Sequence, residues 1–290
     1  MNTQIAGHSG CVVKIVREAD GLTIHKLSYA QAYAARLLRQ ANKQQIFLKN
    51  NQLSFVTTPR ILRLIEDQGN SGIVMEYIHA KSFVDYFENA SYLAPRLFAK
   101  HIIEFLEDEF AKSPISDIPS TLLSDKFLDV SRIIKNNPIL ASDEKIAEQL
   151  EHAAQLFLTP RTRRWPVGIC HGDLTLSNIL FQEGRLYLID FLDSFIETPL
   201  MDIVKLRQDT RHRWSQMMVQ GEFDRVKNTI VLYHIDKLLW ERFKHEPSIQ
   251  DGYCELQCLS FLRILQYAKE KTVIEYLKRN LDILLQECGV

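Results

Sequence analysis

The stretch His171-Gly172-Asp173-Leu174-Thr175-Leu176-Ser177-Asn178, followed by Leu186-Tyr187-Leu188-Ile189-Asp190-Phe191, decides how the rest of the chain is read. Asp173 and Asn178 share one polar segment, and Asp190 closes an apolar, strand-like run. Phosphoryl transfer from a nucleotide needs groups of these types. A carboxylate orients and deprotonates the attacking hydroxyl. Oxygen ligands hold a hard cation such as Mg2+ against the phosphates. Asp173 suits the first task, and Asn178 and Asp190 the second. Glu183-Gly184 predicts a turn between strands at about 179–182 and 185–189, which would return Asp190 to the side of Asn178. The plainer alternative is a polar turn whose Asp and Asn only cap backbone groups.

Outward from this segment the texture of the chain changes twice. Before it, to about residue 80, short β-rich runs surround one helix. Val12 to Val16 and Leu22 to Leu27 flank a turn at Ala19-Asp20-Gly21. Ser28 with Gln31 reads as a capping box opening a helix through Tyr33, Leu37, Ala41 and Gln44. The runs RILRLIED and GIVMEYI, split at Gly69-Asn70, then read as a second hairpin. From about Ser82 to Leu158, and again from about Pro199 to Leu285, apolar residues recur at helical spacing. The expected fold class is α+β, with a small β-rich lobe over residues 1–80 and a larger, mostly helical lobe over 81–290. Such lobes form a cleft, and clefts take ligands.

The motif His-Gly-Asp with Asn178 behind it, then a strand ending in Asp190-Phe191, resembles the catalytic core of the aminoglycoside phosphotransferase and choline kinase families. The resemblance implies a protein-kinase-like two-lobed fold and ATP with Mg2+ as cofactors. It also implies a small-molecule hydroxyl acceptor, a sugar, amino alcohol or aminoglycoside-like compound, with Asp173 as catalytic base, Asn178 and Asp190 as metal ligands and His171 in support. By the same resemblance Gly7, Ser9 and Gly10 would cover the phosphates, although a plain turn reads equally well there. Lys26 would hold the α- and β-phosphates, with Lys14 as the competing choice. Backbone groups around Glu76, Tyr77 and Ile78 would bind adenine. Asp202 would hold the catalytic loop through backbone hydrogen bonds; the alternative is a carboxylate that merely favours a helix start.

Some positions depart from the pattern. No Asp or Glu occurs between Asp20 and Glu66, so the first helix lacks the glutamate that would pair with Lys26. Thr175 stands where many relatives carry a basic residue, and Leu192 replaces a glycine. A pseudokinase-like nucleotide-binding regulatory module without turnover is therefore the alternative function. Two basic clusters, Arg36 with Arg39 and Lys43, and Lys205 with Arg207, Arg211, His212 and Arg213, read as solvated faces, with an acidic partner as the second reading of the first. An anionic acceptor is the second reading of the later cluster. Only about twelve residues separate Asp190 from Asp202, which leaves little room for a peptide platform.

Bulk properties narrow the classes further. Hydrophobic residues at 46% of 290 provide ample core, and a net charge of −1 supplies no field toward nucleic acid or anionic lipid. No apolar run reaches the roughly 18 residues of a membrane span. The first ten residues lack a signal-peptide pattern, so a cytoplasmic location is the default expectation. Five scattered cysteines argue against a disulfide framework, and Cys254 and Cys258, four apart, read as buried thiols, with a metal pair as the alternative.

Overall fold

A computed structural model describes residues 3–6, 11–67, 70–182 and 184–290. The N-terminal region contains β1 (Thr3–Ala6), β2 (Val12–Glu18), β3 (Gly21–Ser28), α1 (Gln31–Asn50), β4 (Val56–Thr57), β5 (Ile61–Asp67) and β6 (Asn70–Glu76). Five of these strands form an antiparallel sheet in the order β1-β2-β3-β6-β5. Val12, Val13, Ile15 and Val16 supply the β-branched content that favours a pleated, half-buried surface. α1 lies on this sheet, and Leu37 and Ala41 pack with Cys11, Ile73 and Met75 in a small core. Both expected hairpins are present. The capping box is not: α1 begins at Gln31 with Ala30 as N-cap, because Ser28 pairs as the last residue of β3. The Ser28 hydroxyl instead accepts from the Ala30 N–H at 3.3 Å.

The rest of the chain is mostly helical. α2 (Phe83–Glu88), α3 (Ala94–Lys112), α4 (Ser120–Asn136) and α5 (Glu144–Leu158) precede the catalytic stretch, with β7 (Ile115–Ile118) between α3 and α4 and β8 (Arg163–Pro166) after α5. The hairpin β9 (Ile179–Gln182) and β10 (Arg185–Leu188) follows, with β4 parallel to β10. α6 (Pro199–Thr210), α7 (Trp214–Met218), α8 (Arg225–Phe243), α9 (Pro247–Leu265) and α10 (Lys271–Glu287) complete the fold. Among the described residues no helix is long and apolar enough to cross a membrane. One large core runs through this region.

α6 sits at its centre, with every residue from Pro199 to Thr210 buried. β8 is fixed to α9 by a bidentate buried pair, Arg163 to Glu255 at 2.6 and 2.8 Å. Beside it, a Cβ on Gly252 would come within 2.3 Å of the buried Trp165 ring. That close approach accounts for a helix-interior glycine that costs about 1 kcal/mol in propensity. Cys254 is joined to Cys288 in a disulfide, contrary to the expectation of a free buried thiol, while Cys258 is free and buried as expected. The two lie thirty-four residues apart, on α9 and just after α10, so their proximity comes from helix packing and not from local spacing.

Candidate active site

The loop from His171 to Asn178 is shaped from within and from behind. Gly172 has φ +85°, and a Cβ there would meet the Leu192 carbonyl oxygen at 2.5 Å, so only glycine fits without displacement. Asn178 donates from Nδ2 to the Asp173 carbonyl at 2.9 Å and to its Oδ2 at 3.2 Å. The buried His171 ring joins the loop to the strand end, with Nε2 2.8 Å from the Ile189 carbonyl and Nδ1 accepting from Asp173 N–H at 3.2 Å. Those partners place the proton on Nε2. Burial lowers the His171 pKa to about 4, so the ring is neutral.

α6 backs the loop along one helical face. Asp202 accepts from the His171 and Gly172 N–H groups at 2.5 and 2.6 Å. One turn on, Lys205 Nζ lies 3.1 Å from Asp173 Oδ1. A further turn on, Asp209 accepts from the Leu176 N–H at 2.5 Å and from Ser215. Positions i, i+3 and i+7 share a helix face, so one stripe of α6 contacts four loop residues in sequence order. Burial alone would raise the Asp173 pKa; the Lys205 ammonium, aided by His171 and Arg263, outweighs it and holds the carboxyl below its usual value. Asp202 is pushed up to about 6 by burial, against the Lys43 charge and the two backbone donors. Glu109 of α3 is pushed well above the carboxylate range by burial and by the Asp202 charge. Their shared proton therefore resides on Glu109, which leaves Asp202 as the anionic acceptor.

Asp190 follows β10 with φ +60°, a left-handed conformation uncommon outside glycine. It is held from both sides, by Ile189 N–H to the Asn178 carbonyl at 3.0 Å and Leu192 N–H to the His171 carbonyl at 2.9 Å. Lys26, on β3 and 3% exposed, places Nζ 2.9 Å from Asp190 Oδ1. The lysine without a helix glutamate thus finds its carboxylate on the residue that follows Ile189 after β10. Lys14, by contrast, pairs with His25 in the β2–β3 ladder, and the contact to Asp190 belongs to Lys26.

The basic face of α1 is only partly solvated. Arg39 pairs with Asp193, and Lys43 donates to Glu197 at 2.5 Å and to the Leu192 carbonyl at 2.7 Å. Helix α1 therefore grips the segment after Asp190 with cations. The second basic cluster is also largely internal: Arg207 pairs with Asp236 and stacks 3.9 Å over Trp240, Arg211 pairs with Glu287, and His212 meets Asn280 at 2.9 Å. Glu76 ends β6, where its N–H donates to the Arg60 carbonyl at 3.0 Å. Tyr77 packs edge-on to His79, and the Ile78 carbonyl accepts from Ala80 N–H. This stretch continues the strand that pairs with Lys26 through Ile73. Gly7, Ser9 and Gly10 lie outside the described residues.

The model of the phosphotransferase enzyme family matches residues 8–230. The chain belongs to that family. As a phosphotransferase it is similar in fold to a thermostable mutant of aminoglycoside phosphotransferase APH(4)-Ia, with a TM-score of 0.65 at 10% identity over 99% of this chain and 94% of that one. It is similar to aminoglycoside 2'-phosphotransferase-IIIa in its GDP complex, with a TM-score of 0.63 at 16% identity over 99% and 93%. A choline/ethanolamine kinase family protein from Mesorhizobium loti gives 0.50 at 15% identity over 99% and 88%. A local match of 41% over 54 residues links it to the KEOPS complex subunit Bud32 of Pyrococcus abyssi, spanning 16% of this chain and 24% of that protein. At these identities the solved structures establish the protein-kinase-like two-lobed fold.

Of the expected residues, the structure brings together Asp173, Asn178, Asp190, Lys26, His171 and Asp202. Asp209, Glu109, Glu197 and the contact of Lys205 with Asp173 were not anticipated. The spacing Asp202, Lys205, Asp209 was a legible signal for one helix face. The pairs of Lys43 and Glu109 were not legible, because they depend on how α1 and α3 pack.

Proposed function

We propose that this phosphotransferase moves the γ-phosphoryl group of ATP to a hydroxyl of a small molecule, a sugar or other hydroxylated metabolite, in a Mg2+-dependent reaction. The observation that carries the reading is the convergence of Asp173, Asn178, Asp190 and Lys26 from three segments, the loop at 171–178, the end of β10 and strand β3. Asp173 is the base. Its Oδ2 is oriented by Asn178 and its Oδ1 by Lys205, and a carboxylate so fixed can accept the acceptor's proton in the transition state. Its depressed pKa keeps it ionised at neutral pH.

The donor set fits magnesium. Asn178 commits its nitrogen to Asp173, so its oxygen is the end left for a cation, and Asp190 contributes a carboxylate 47% exposed to the cleft. Magnesium held there would neutralise phosphate charge. Lys26 contributes a buried ammonium beside Asp190 that can pair with the α- and β-phosphates. Residues 1–80 form the nucleotide lobe in this reading, with the backbone at Glu76 to Ile78 receiving the adenine. The solved APH(4)-Ia and 2'-phosphotransferase-IIIa structures hold ADP with hygromycin B, and GDP, respectively, which supports a nucleotide and a hydroxylated acceptor here.

The test is transfer of labelled γ-phosphoryl from ATP to a panel of sugars and amino alcohols. Mg2+-dependent transfer by the wild type, reduced about 10²-fold or more in Asp173→Asn with ATP affinity retained, is the expected outcome. Nucleotide binding without transfer to any member would favour a regulatory nucleotide-binding module.

A further inference from the structure

Arg263, on α9, has no part in the catalytic roles assigned above. Its Nη1 is buried and has no hydrogen-bond partner. Its guanidinium carbon lies 5.3 Å from the centroid of Phe195, in the segment that follows Asp190. A buried guanidinium N–H left unpaired costs free energy, and Arg remains charged even when burial lowers its pKa, as it does here. The Asp173 charge acts on Arg263 in the stabilising sense and Arg36 of α1 opposes it. Lys126 of α4 is destabilised as a cation by burial and by the charge of Arg263, with Asp129 in partial compensation. Asp129 is itself paired with Arg132 at 3.3 Å. Arg36 of α1 and Lys126 of α4 therefore each lie within electrostatic reach of Arg263, Arg263 lies within reach of Asp173, and Lys205 sits directly on that carboxylate.

Such an arrangement repels a polycation and leaves a forked donor over an aromatic ring, a geometry suited to a carboxylate or phosphate. We propose that the acceptor is a hydroxylated anion whose negative group is bound by Arg263 over Phe195 while its hydroxyl lies at Asp173. The inference rests on the phosphotransferase reading and narrows its acceptor class. The shared chemistry is a planar or tetrahedral oxyanion, supplied by a sugar acid or by a sugar phosphate.

The test is the unfolding midpoint of the full chain with Mg2+ and AMP-PNP, alone and with added glucuronate, glucose 6-phosphate, glucose or glucosamine. A ligand that binds only the native state raises the midpoint. The proposal expects a further rise with at least one anion and none with glucose or glucosamine. A rise with glucuronate alone assigns a carboxylate, and one with glucose 6-phosphate alone a phosphate. In Arg263→Met the anion's rise disappears while the nucleotide's own rise persists and reports a folded variant; Arg263→Lys recovers part of it. The proposal is overturned if neither anion acts, if glucosamine acts as strongly, or if the rise survives in Arg263→Met. Absence of any nucleotide shift in the wild type overturns the phosphotransferase reading itself, and this inference with it.

Discussion

Asp173 shows how a single carboxylate is tuned by its neighbours. Desolvation pushes its pKa up, and Lys205 at 3.1 Å, with smaller help from His171 and Arg263, more than offsets this. Thr175 occupies the loop position where a basic residue was expected, yet a cation still reaches the base, from α6 and not from the loop. Removal of that cation as Lys205→Met raises the Asp173 pKa, so the acidic limb of the kcat/KM profile moves to higher pH. Lys205→Arg keeps the limb near its wild-type position. A purely structural Lys205 would lower the rate without moving the limb, and a pH–rate series on the two variants separates the cases. Gly172 is a second residue-scale constraint. Its φ of +85° and the 2.5 Å approach of the Leu192 carbonyl predict that Gly172→Ala loses about 1–3 kcal/mol, read by urea unfolding.

Among the elements, α6 is the template of the site. Asp202, Lys205 and Asp209 each hold a different part of the loop. Asp209 carries its charge at a cost, because burial raises its pKa to about 6. The folded state thus binds more protons than the unfolded chain between pH about 4 and about 6, and this group's contribution to stability falls as pH rises through that window. Asp209→Asn should remove that fall from the stability–pH curve while lowering turnover, since one anchor of Leu176 is weakened. A curve unchanged in shape would show that Asp209 titrates as it does in the unfolded chain. Helix α1 makes the complementary contact. Lys43 binds Glu197 and the Leu192 carbonyl, so Lys43→Met should release the segment after Asp190. The expected signs are a loss of about 1–3 kcal/mol and faster amide exchange at Leu192 to Glu197.

Across the whole molecule, the parts readable in the sequence were those fixed by local pattern. The hairpins, the long helices and the order Asp173, Asn178, Asp190 follow from strand alternation, helical periodicity and turn residues. The short strands β7 and β8 are not legible because, unlike the equally short β9 and β10, they are far apart in sequence with no shared turn to mark them, and β8 is specified by Arg163 and Trp165 meeting α9. The disulfide of Cys254 with Cys288 and the pairing of Lys26 with Asp190 join positions 34 and 164 residues apart, so only the tertiary arrangement reveals them. The same holds for the basic clusters. Charge runs usually mark solvated faces, but here packing turns Lys43, Lys205 and Arg207 inward onto acidic partners while Arg39 and Arg213 stay exposed. In the proposed function everything depends on Asp190, poised against Lys26 across the cleft, completing a magnesium–nucleotide site with Asn178. Calorimetric titration of ATP with and without Mg2+, on the wild type and on Asp190→Ala, tests this most directly. Tight binding that requires Mg2+ in the wild type, with no Mg2+-dependent gain in Asp190→Ala, is the expected result; equal Mg2+-dependent affinity in the two proteins would contradict it.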